Sequence, residues 1–151
     1  MKTARDIMTK DVFTVTESTP LDELARAFSD RGVSGFPVVD ARGGLVGVVT
    51  ETDLIHQNQR LHIPTAVAIF DAVILLGSSK RLDDEIRRMT ATTVGEIMVR
   101  DPVTVAPEAS ASDVAALMAD KDVHTLPVVD ESGALVGVVG KLDVIRALAS
   151  R

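Results

Sequence analysis

The 151-residue chain has no cysteine, no tryptophan and no tyrosine. Without cysteine there is no disulfide framework, no thiolate nucleophile and no Cys-ligated metal site. Four phenylalanines make up the whole aromatic complement. Flat platforms for stacking single-stranded bases are therefore scarce, and the core has to be aliphatic. Positive charge is also in short supply, since 16 Lys and Arg stand against 22 Asp and Glu for a net charge of -6. A chain of that sign repels phosphate backbones, which argues against nucleic acid as a partner. The opening MKTARDIMTK lacks the apolar run of a signal peptide. The longest apolar stretch, residues 63–76, is short and broken by Pro64 and Asp71, whereas a bilayer span needs about 20 apolar residues. These absences predict a cytoplasmic protein with no membrane contact.

Catalytic signatures are missing too. There is no P-loop, no GxGxxG after a strand and no GxSxG, and His56, His62 and His124 form no HExxH pair or other metal-ligand spacing. The abundant carboxylates show no pairing for acid–base work that a sequence can display. The expectation is a protein that is not an enzyme, with no catalytic residue and no resident metal.

What the chain does have is 46% hydrophobic and 25% charged residues, enough for one compact domain or two very small ones. It also has an internal repeat. Residues 3–56 align with 93–146 at a constant offset of 90 without a gap, and 21 of the 54 positions are identical. Ile7-Met8 matches Ile97-Met98, Thr14-Val15 matches Thr104-Val105, and Pro37-Val38-Val39-Asp40 matches Pro127-Val128-Val129-Asp130. Leu45-Val46-Gly47-Val48-Val49 matches Leu135-Val136-Gly137-Val138-Val139, and Asp53 matches Asp143. This is a duplication. A unit of this length is marginal alone, so the two copies are expected to pack face to face about a pseudo-twofold axis, with two equivalent clefts.

Each copy reads as strand, helix, strand, turn, strand, helix. Residues 12–15 and 102–105 are short extended pieces. Thr19 is expected to cap the first main helix, with Pro20 at its first position. Leu21, Leu24, Ala25 and Phe28 follow helical spacing. In the second copy Ser110 or Ser112 caps a helix carrying Val114, Ala115, Leu117 and Met118. The runs 36–40 and 126–130 are β-rich, and turns 40–44 and 130–133 join them to the LVGVV strands. Helices then begin near residues 51 and 141. The first of these is expected to run on over residues 54–61. Residues 65–76 read as an apolar helix, 77–79 as a break and 82–89 as an amphipathic helix. The apolar stretch 63–76 either covers the repeat pair or serves self-association.

Taken in order, DIMTKDVFTV and EIMVRDPVTV, then GFPVVDARGGLVGVVTETDL and TLPVVDESGALVGVVGKLDV, resemble the tandem CBS-domain proteins, or Bateman modules. The resemblance covers nearly the whole chain, as CBS motif 1 over 1–60, a helical linker over 61–90 and CBS motif 2 over 91–151. It implies a mixed α/β (α+β) fold of two βαββα motifs packed as a pseudo-twofold pair. It further implies a stand-alone regulatory module that binds AMP, ADP, ATP or S-adenosylmethionine between the motifs and forms a disc-like homodimer read by an effector protein. No cofactor is required, although Mg²⁺ is compatible with a bound nucleotide.

The best site candidate is the run Thr50-Glu51-Thr52-Asp53, where a strand ends and a helix begins. Such a junction attracts anions, and a carboxylate there can accept two hydrogen bonds from a ribose diol. The resemblance implies Asp53 as ribose acceptor with Thr50 and Thr52 in support. Helix capping alone is the plainer role for the same residues. The second copy reads Gly140-Lys141-Leu142-Asp143. Asp143 is kept, both hydroxyls are gone, and Lys141 is placed to meet a phosphate, so the clefts are expected to behave unequally. The resemblance also implies Val33 and Val123 as apolar walls, with Ser34, His124 and Thr125 as polar edges. It adds Lys10, Asp11 and Val12, with Arg100, Asp101 and Pro102, from the motif starts. The alternative is a constitutive dimerisation or protein-interaction module with vestigial clefts.

Overall fold

The computed structural model describes residues 2–61 and 92–150. The helices expected at residues 65–76 and 82–89, the break between them and the self-association surface on 63–76 fall outside the described residues. The elements run α1 (Ala4–Ile7), α2 (Leu21–Arg31), β1 (Gly35–Val39), β2 (Leu45–Thr50) and α3 (Glu51–Leu61). The second half continues with α4 (Val94–Ile97), β3 (Val99–Arg100), α5 (Ala111–Lys121), β4 (Thr125–Val129), β5 (Leu135–Gly140) and α6 (Lys141–Ala149). The chain is a mixed α+β protein of two repeated halves.

In each half an antiparallel hairpin packs beneath an amphipathic helix. The register is the same in both, with Gly35 opposite Thr50 and Thr125 opposite Gly140. Leu21, Leu24, Ala25 and Phe28 of α2 are buried at the spacing the sequence predicts. Ala111, Val114 and Met118 play that part in α5. Each hairpin turn is tied by one carboxylate. Asp130 accepts from the Ser132 hydroxyl at 2.6 Å and from the Ser132 and Ala134 amides, and these bonds, the hydroxyl's first, hold its carboxyl below the usual carboxylate range.

Two local expectations change. The extended pieces at 12–15 and 102–105 contract to single parallel bridges, Val15 to Val38 and Val105 to Val128. Pro37 and Pro127 lack the N–H that would lengthen the ladder, so the Pro carbonyls accept from Val15 and Val105, and Val39 and Val129 close the pairs. Helix α2 starts one residue later than expected, with Pro20 as its extended N-cap residue. The Thr19 hydroxyl accepts instead from the Thr16 amide, while the Thr19 carbonyl accepts from Val94 of the other half. Pro20 itself bridges to Thr93 of the other half and stays extended. In the second half Ser110 does cap α5, accepting from the Asp113 amide at 3.0 Å.

The halves exchange their opening segments. Residues around α1 lie on the second half, where the Ala4 and Arg5 amides donate to the carbonyls of Ala109 and Pro107, and Thr9 pairs with Val138. Ala4 is fully buried in the second core, with Ile7 and Met8 packed against it. Residues around α4 lie reciprocally on the first half. Val94 is fully buried among Leu21, Leu24 and Val38, and β3 adds to β2 opposite Gly47 and Val48. The crossing explains the glycine in each LVGVV strand. A Cβ on Gly47 would lie 2.6 Å from the Val99 carbonyl, and one on Gly137 would collide with the Met8 sulfur and lie 3.0 Å from the Thr9 carbonyl.

Gly137→Ala is expected to destabilise the protein by about 1–3 kcal/mol, the usual cost of overpacking, seen as a lower urea midpoint. An unchanged midpoint would mean that the Met8 segment yields freely. The short helix α1 carries a second, pH-dependent term. The Thr3 amide donates to Asp6 Oδ2 at 2.9 Å and the Thr3 hydroxyl at 3.1 Å, and these bonds, the backbone one first, lower the Asp6 carboxyl below its ordinary value. A depressed carboxyl stabilises the fold above its unfolded pKa, and that contribution is lost as pH falls through the folded pKa. Asp6→Asn should therefore be less stable than the parent at neutral pH, and the gap should close as pH drops through the carboxylate range. A gap independent of pH in denaturation curves would contradict this.

Candidate functional site

The strand-to-helix junctions that the sequence singles out are built alike. At the start of α3, Asp53 Oδ2 accepts from the Thr50 amide at 2.9 Å and the Thr50 hydroxyl at 3.0 Å, while the Asp53 amide donates back to the hydroxyl at 3.3 Å. At the start of α6, Asp143 Oδ2 accepts from the Gly140 amide at 2.8 Å. Both carboxylates thus cap their helices, and in both the cap uses Oδ2 alone. A Cβ on Gly140 would lie an ordinary 3.6 Å from Asp143 Oδ2, so crowding does not force the loss of the hydroxyl there. Each helix start is tied to the segment before the preceding hairpin: the Glu51 amide donates to the Ser34 carbonyl and the Lys141 amide to the His124 carbonyl.

Those segments meet. Ser34 Oγ and Thr125 Oγ1 form a hydrogen bond of 3.0 Å between the halves, and Thr125 is buried. A Cβ on Gly35, the counterpart of Thr125 in the repeat, would lie 2.8 Å from the Thr125 hydroxyl oxygen. Glycine is required at this crossing by space.

Beside the junction lies a cavity of about 860 Å³, within the range of about 300–1,000 Å³ typical of small-ligand sites. Both halves line it. The first half supplies Thr9, Asp11, Val12, Phe13, residues 31–37 and Glu51, and the second supplies His124, Thr125, Val138, residues 140–143 and Arg146. The structure therefore brings together eight residues singled out from the sequence: Asp11, Val12, Val33, Ser34, His124, Thr125, Lys141 and Asp143. Thr50, Thr52, Asp53, Val123, Lys10, Arg100, Asp101 and Pro102 do not line this cavity. Arg100 forms an ion pair with Glu17 at 2.8 Å and donates to the Gly95 carbonyl. The cavity thus lies at the junction with the poorer motif, Gly140-Lys141-Leu142-Asp143.

Sequence reasoning missed several lining residues. Arg146 stands three residues after Asp143 on α6, a spacing that puts both on one helix face, so the signal was present. Phe13, Phe36 and Arg31 had no such signal. Composition made aromatics look scarce, yet Phe13 and Phe36 meet edge to face at 5.2 Å, Phe28 stacks on Phe36 at 4.7 Å, and the Arg31 guanidinium sits 3.9 Å above the Phe13 ring. Phe13 and Phe36 line the cavity, and Phe28 backs Phe36 from the core. Their counterparts in the repeat are Val103, Met118 and Leu126, so this aromatic wall belongs to one side only. The lining mixes Arg31, Lys141 and Arg146 with Asp11, Glu51 and Asp143. It suits a ligand with a flat apolar part, hydroxyls for a carboxylate and an anionic end.

Among the described residues no cluster of three His, Asp or Glu could hold a metal ion, and no helix is long and apolar enough to cross a membrane.

The CBS domain family matches residues 4–59 and 94–150. An uncharacterized protein of Methanocaldococcus jannaschii is 29% identical over 153 residues, covering 95% of this chain and 89% of that one. An inosine-5'-monophosphate dehydrogenase of Korarchaeum cryptofilum is 31% identical over 144 residues, which are 95% of this chain but 24% of that enzyme. Among solved structures, CBSX2 of Arabidopsis thaliana in complex with AMP matches with a TM-score of 0.71 at 27% identity, covering 99% of this chain and 98% of that one. Two matched motifs, the repeated hairpin-and-helix halves and the shared fold together establish that the chain belongs to the CBS domain family, as a pair of CBS motifs.

Proposed function

We propose that the chain is a regulatory, non-catalytic module that takes an adenosyl ligand in the clefts between its two CBS motifs. The observation that carries this reading is the cavity of about 860 Å³, whose lining combines Val12, Phe13, Val33 and Phe36 with Lys141 and Asp143 from the start of α6 and Arg146 further along it. Adenosine matches that order: purine against Val12, Phe13 and Val33, ribose hydroxyls on the Asp143 carboxylate, and the charged end toward Lys141, His124 and Arg146. The AMP complex of the similar CBSX2 supports the assignment. Thr50, Thr52 and Asp53 hold the equivalent places for a second ligand, with Val123 and Pro102 as its apolar wall. Binding shifts the packing of the halves when the ligand prefers one arrangement over another, and an effector protein reads that shift. A cytoplasmic setting and Mg²⁺ beside a nucleotide are compatible with this role.

A second reading, self-association as the main role, rests on one feature of α6. Leu142, Ile145 and Leu148 are 58%, 51% and 42% exposed and recur every three residues along it. Ile55 on α3, the counterpart of Ile145, is also 50% exposed. A second copy of the chain is the occupant that the resemblance to paired CBS proteins implies.

Calorimetric titration of AMP, ADP, ATP and S-adenosylmethionine tests the first reading. Asp143→Asn should weaken the ligand that binds by about 1.5–3 kcal/mol, roughly ten- to hundredfold in Kd, because a charged acceptor is lost. Its melting temperature reports whether the cap survives. No binding of any of the four by two methods would overturn the reading. Sedimentation tests the second. The parent should be a dimer and Ile145→Asp a monomer; a monomeric parent would remove that reading.

A further inference from the structure

We propose that the two clefts are antagonistic: they share one wall, so an anionic ligand in one weakens anionic ligand binding in the other. This rests on the adenosyl-ligand reading above.

The wall follows from the repeat. Shifting each lining residue of the described cavity by 90 positions gives the lining of its counterpart. Six residues occur in both sets, forming three pairs: Ser34 with His124, Gly35 with Thr125, and Glu51 with Lys141. Each of the six faces the described cavity, and each occupies a position that faces the other. At its centre the wall is the Ser34–Thr125 hydrogen bond of 3.0 Å. The space beside Gly35 is too small for a Cβ, so no water layer separates the two sides there.

The charged ends of both ligands converge on that wall. Asp53 and Asp143 are the third residues of α3 and α6, and the first residues of those helices, Glu51 and Lys141, are wall members tied to the carbonyls of Ser34 and His124. The positive ends of both helix dipoles therefore sit at the wall. A ligand whose ribose is held by Asp143 places its anionic end there, and a ligand on Asp53 does so from the other side.

The wall serves one anion better than two. The hydroxyls of Ser34 and Thr125 carry two protons, and their mutual bond consumes one, leaving one to donate. Lys141 supplies positive charge, whereas its counterpart Glu51 supplies negative charge. Like charges about 10 Å apart at an effective dielectric near 20 repel by an amount worth roughly tenfold in Kd.

The test uses AMP and the full chain. Asp53→Asn and Asp143→Asn each weaken one cleft roughly ten- to hundredfold, so the tighter site left in each variant gives the intrinsic Kd of the other cleft, with melting temperatures confirming that both variants fold. Titration of the parent should then show a second AMP binding about tenfold or more weaker than its intrinsic Kd. In the limit, the parent takes one AMP per chain while each variant also takes one. Two molecules binding the parent at the intrinsic affinities would overturn the antagonism and leave the adenosyl reading standing. A variant that binds none while the parent binds one would overturn it by showing a single working cleft. No AMP binding by the parent would overturn the antagonism as stated for AMP, and the adenosyl reading falls with it only when ADP, ATP and S-adenosylmethionine fail as well.

Discussion

Everything in this structure depends on two chain segments crossing over two glycines. The Met8 segment crosses Gly137 and the Met98 segment crosses Gly47, each laid on the hairpin of the other half. Through these crossings Ala4 fills the second core and Val94 the first. Neither core is complete without a piece from the other copy. A side chain such as Val94 contributes roughly 1.5–3 kcal/mol when fully buried, and the crossing amides bring their own hydrogen bonds. This is how units too short to be stable alone become one body. The exchange also builds the cleft. Thr9, Asp11, Val12 and Phe13 follow directly from the crossing segment, so they reach the cavity beside Gly140 and Asp143 rather than the junction of their own motif.

A second constraint acts at the pseudo-axis, where a residue meets its own counterpart. An identical pair has to fit against itself. Gly35 and Thr125 show why the copies diverge there: the threonine occupies the space that a second side chain would need. Once one copy carries Thr125, the other is held to glycine. Ser34 can then bond the threonine hydroxyl, and His124 takes the opposite place. Duplication within one chain allows such unlike pairs, which an assembly of identical single motifs cannot make. The two junctions differ in the residues packed at the axis as well as in the loss of hydroxyls at Gly140 and Leu142.

The repeat, the hairpins, the buried faces of α2 and α5 and the helix starts at 51 and 141 were legible because each follows from a local pattern. Apolar spacing sets the helices, alternation and turn residues set the hairpins, and the offset of 90 sets the correspondence. What was not legible arises between the halves. Thr19 gave way to Pro20 as the helix boundary because its carbonyl is engaged by Val94. The strands at 12–15 and 102–105 shrank to bridges because their neighbour carries proline. The aromatic wall escaped notice because Phe13, Phe28 and Phe36 are scattered in sequence and meet only in the fold. Of the site, the sequence supplied the chemistry of Asp143, Lys141, His124 and Thr125. It put the best site candidate at Thr50 to Asp53, and the cavity described lies beside the counterpart junction at Gly140 and Asp143.

Capping and the proposed binding role are compatible in one carboxylate because the cap needs only one oxygen. Asp143 spends Oδ2 on the Gly140 amide, a bond that fixes the carboxylate at the helix start and does not use Oδ1, the oxygen that the proposed ribose contact calls on. An acceptor already held by the backbone loses little freedom when a ligand arrives, and preorganisation of this kind raises affinity without further contacts. Asp53 is held more firmly, since the Thr50 hydroxyl adds a second bond to the same Oδ2. The side with the hydroxyl has the more rigid carboxylate, and the side without it has the aromatic wall and Arg146. Each cleft therefore lacks something its counterpart has. On the proposal above, the wall joins two unlike sites rather than two copies of one.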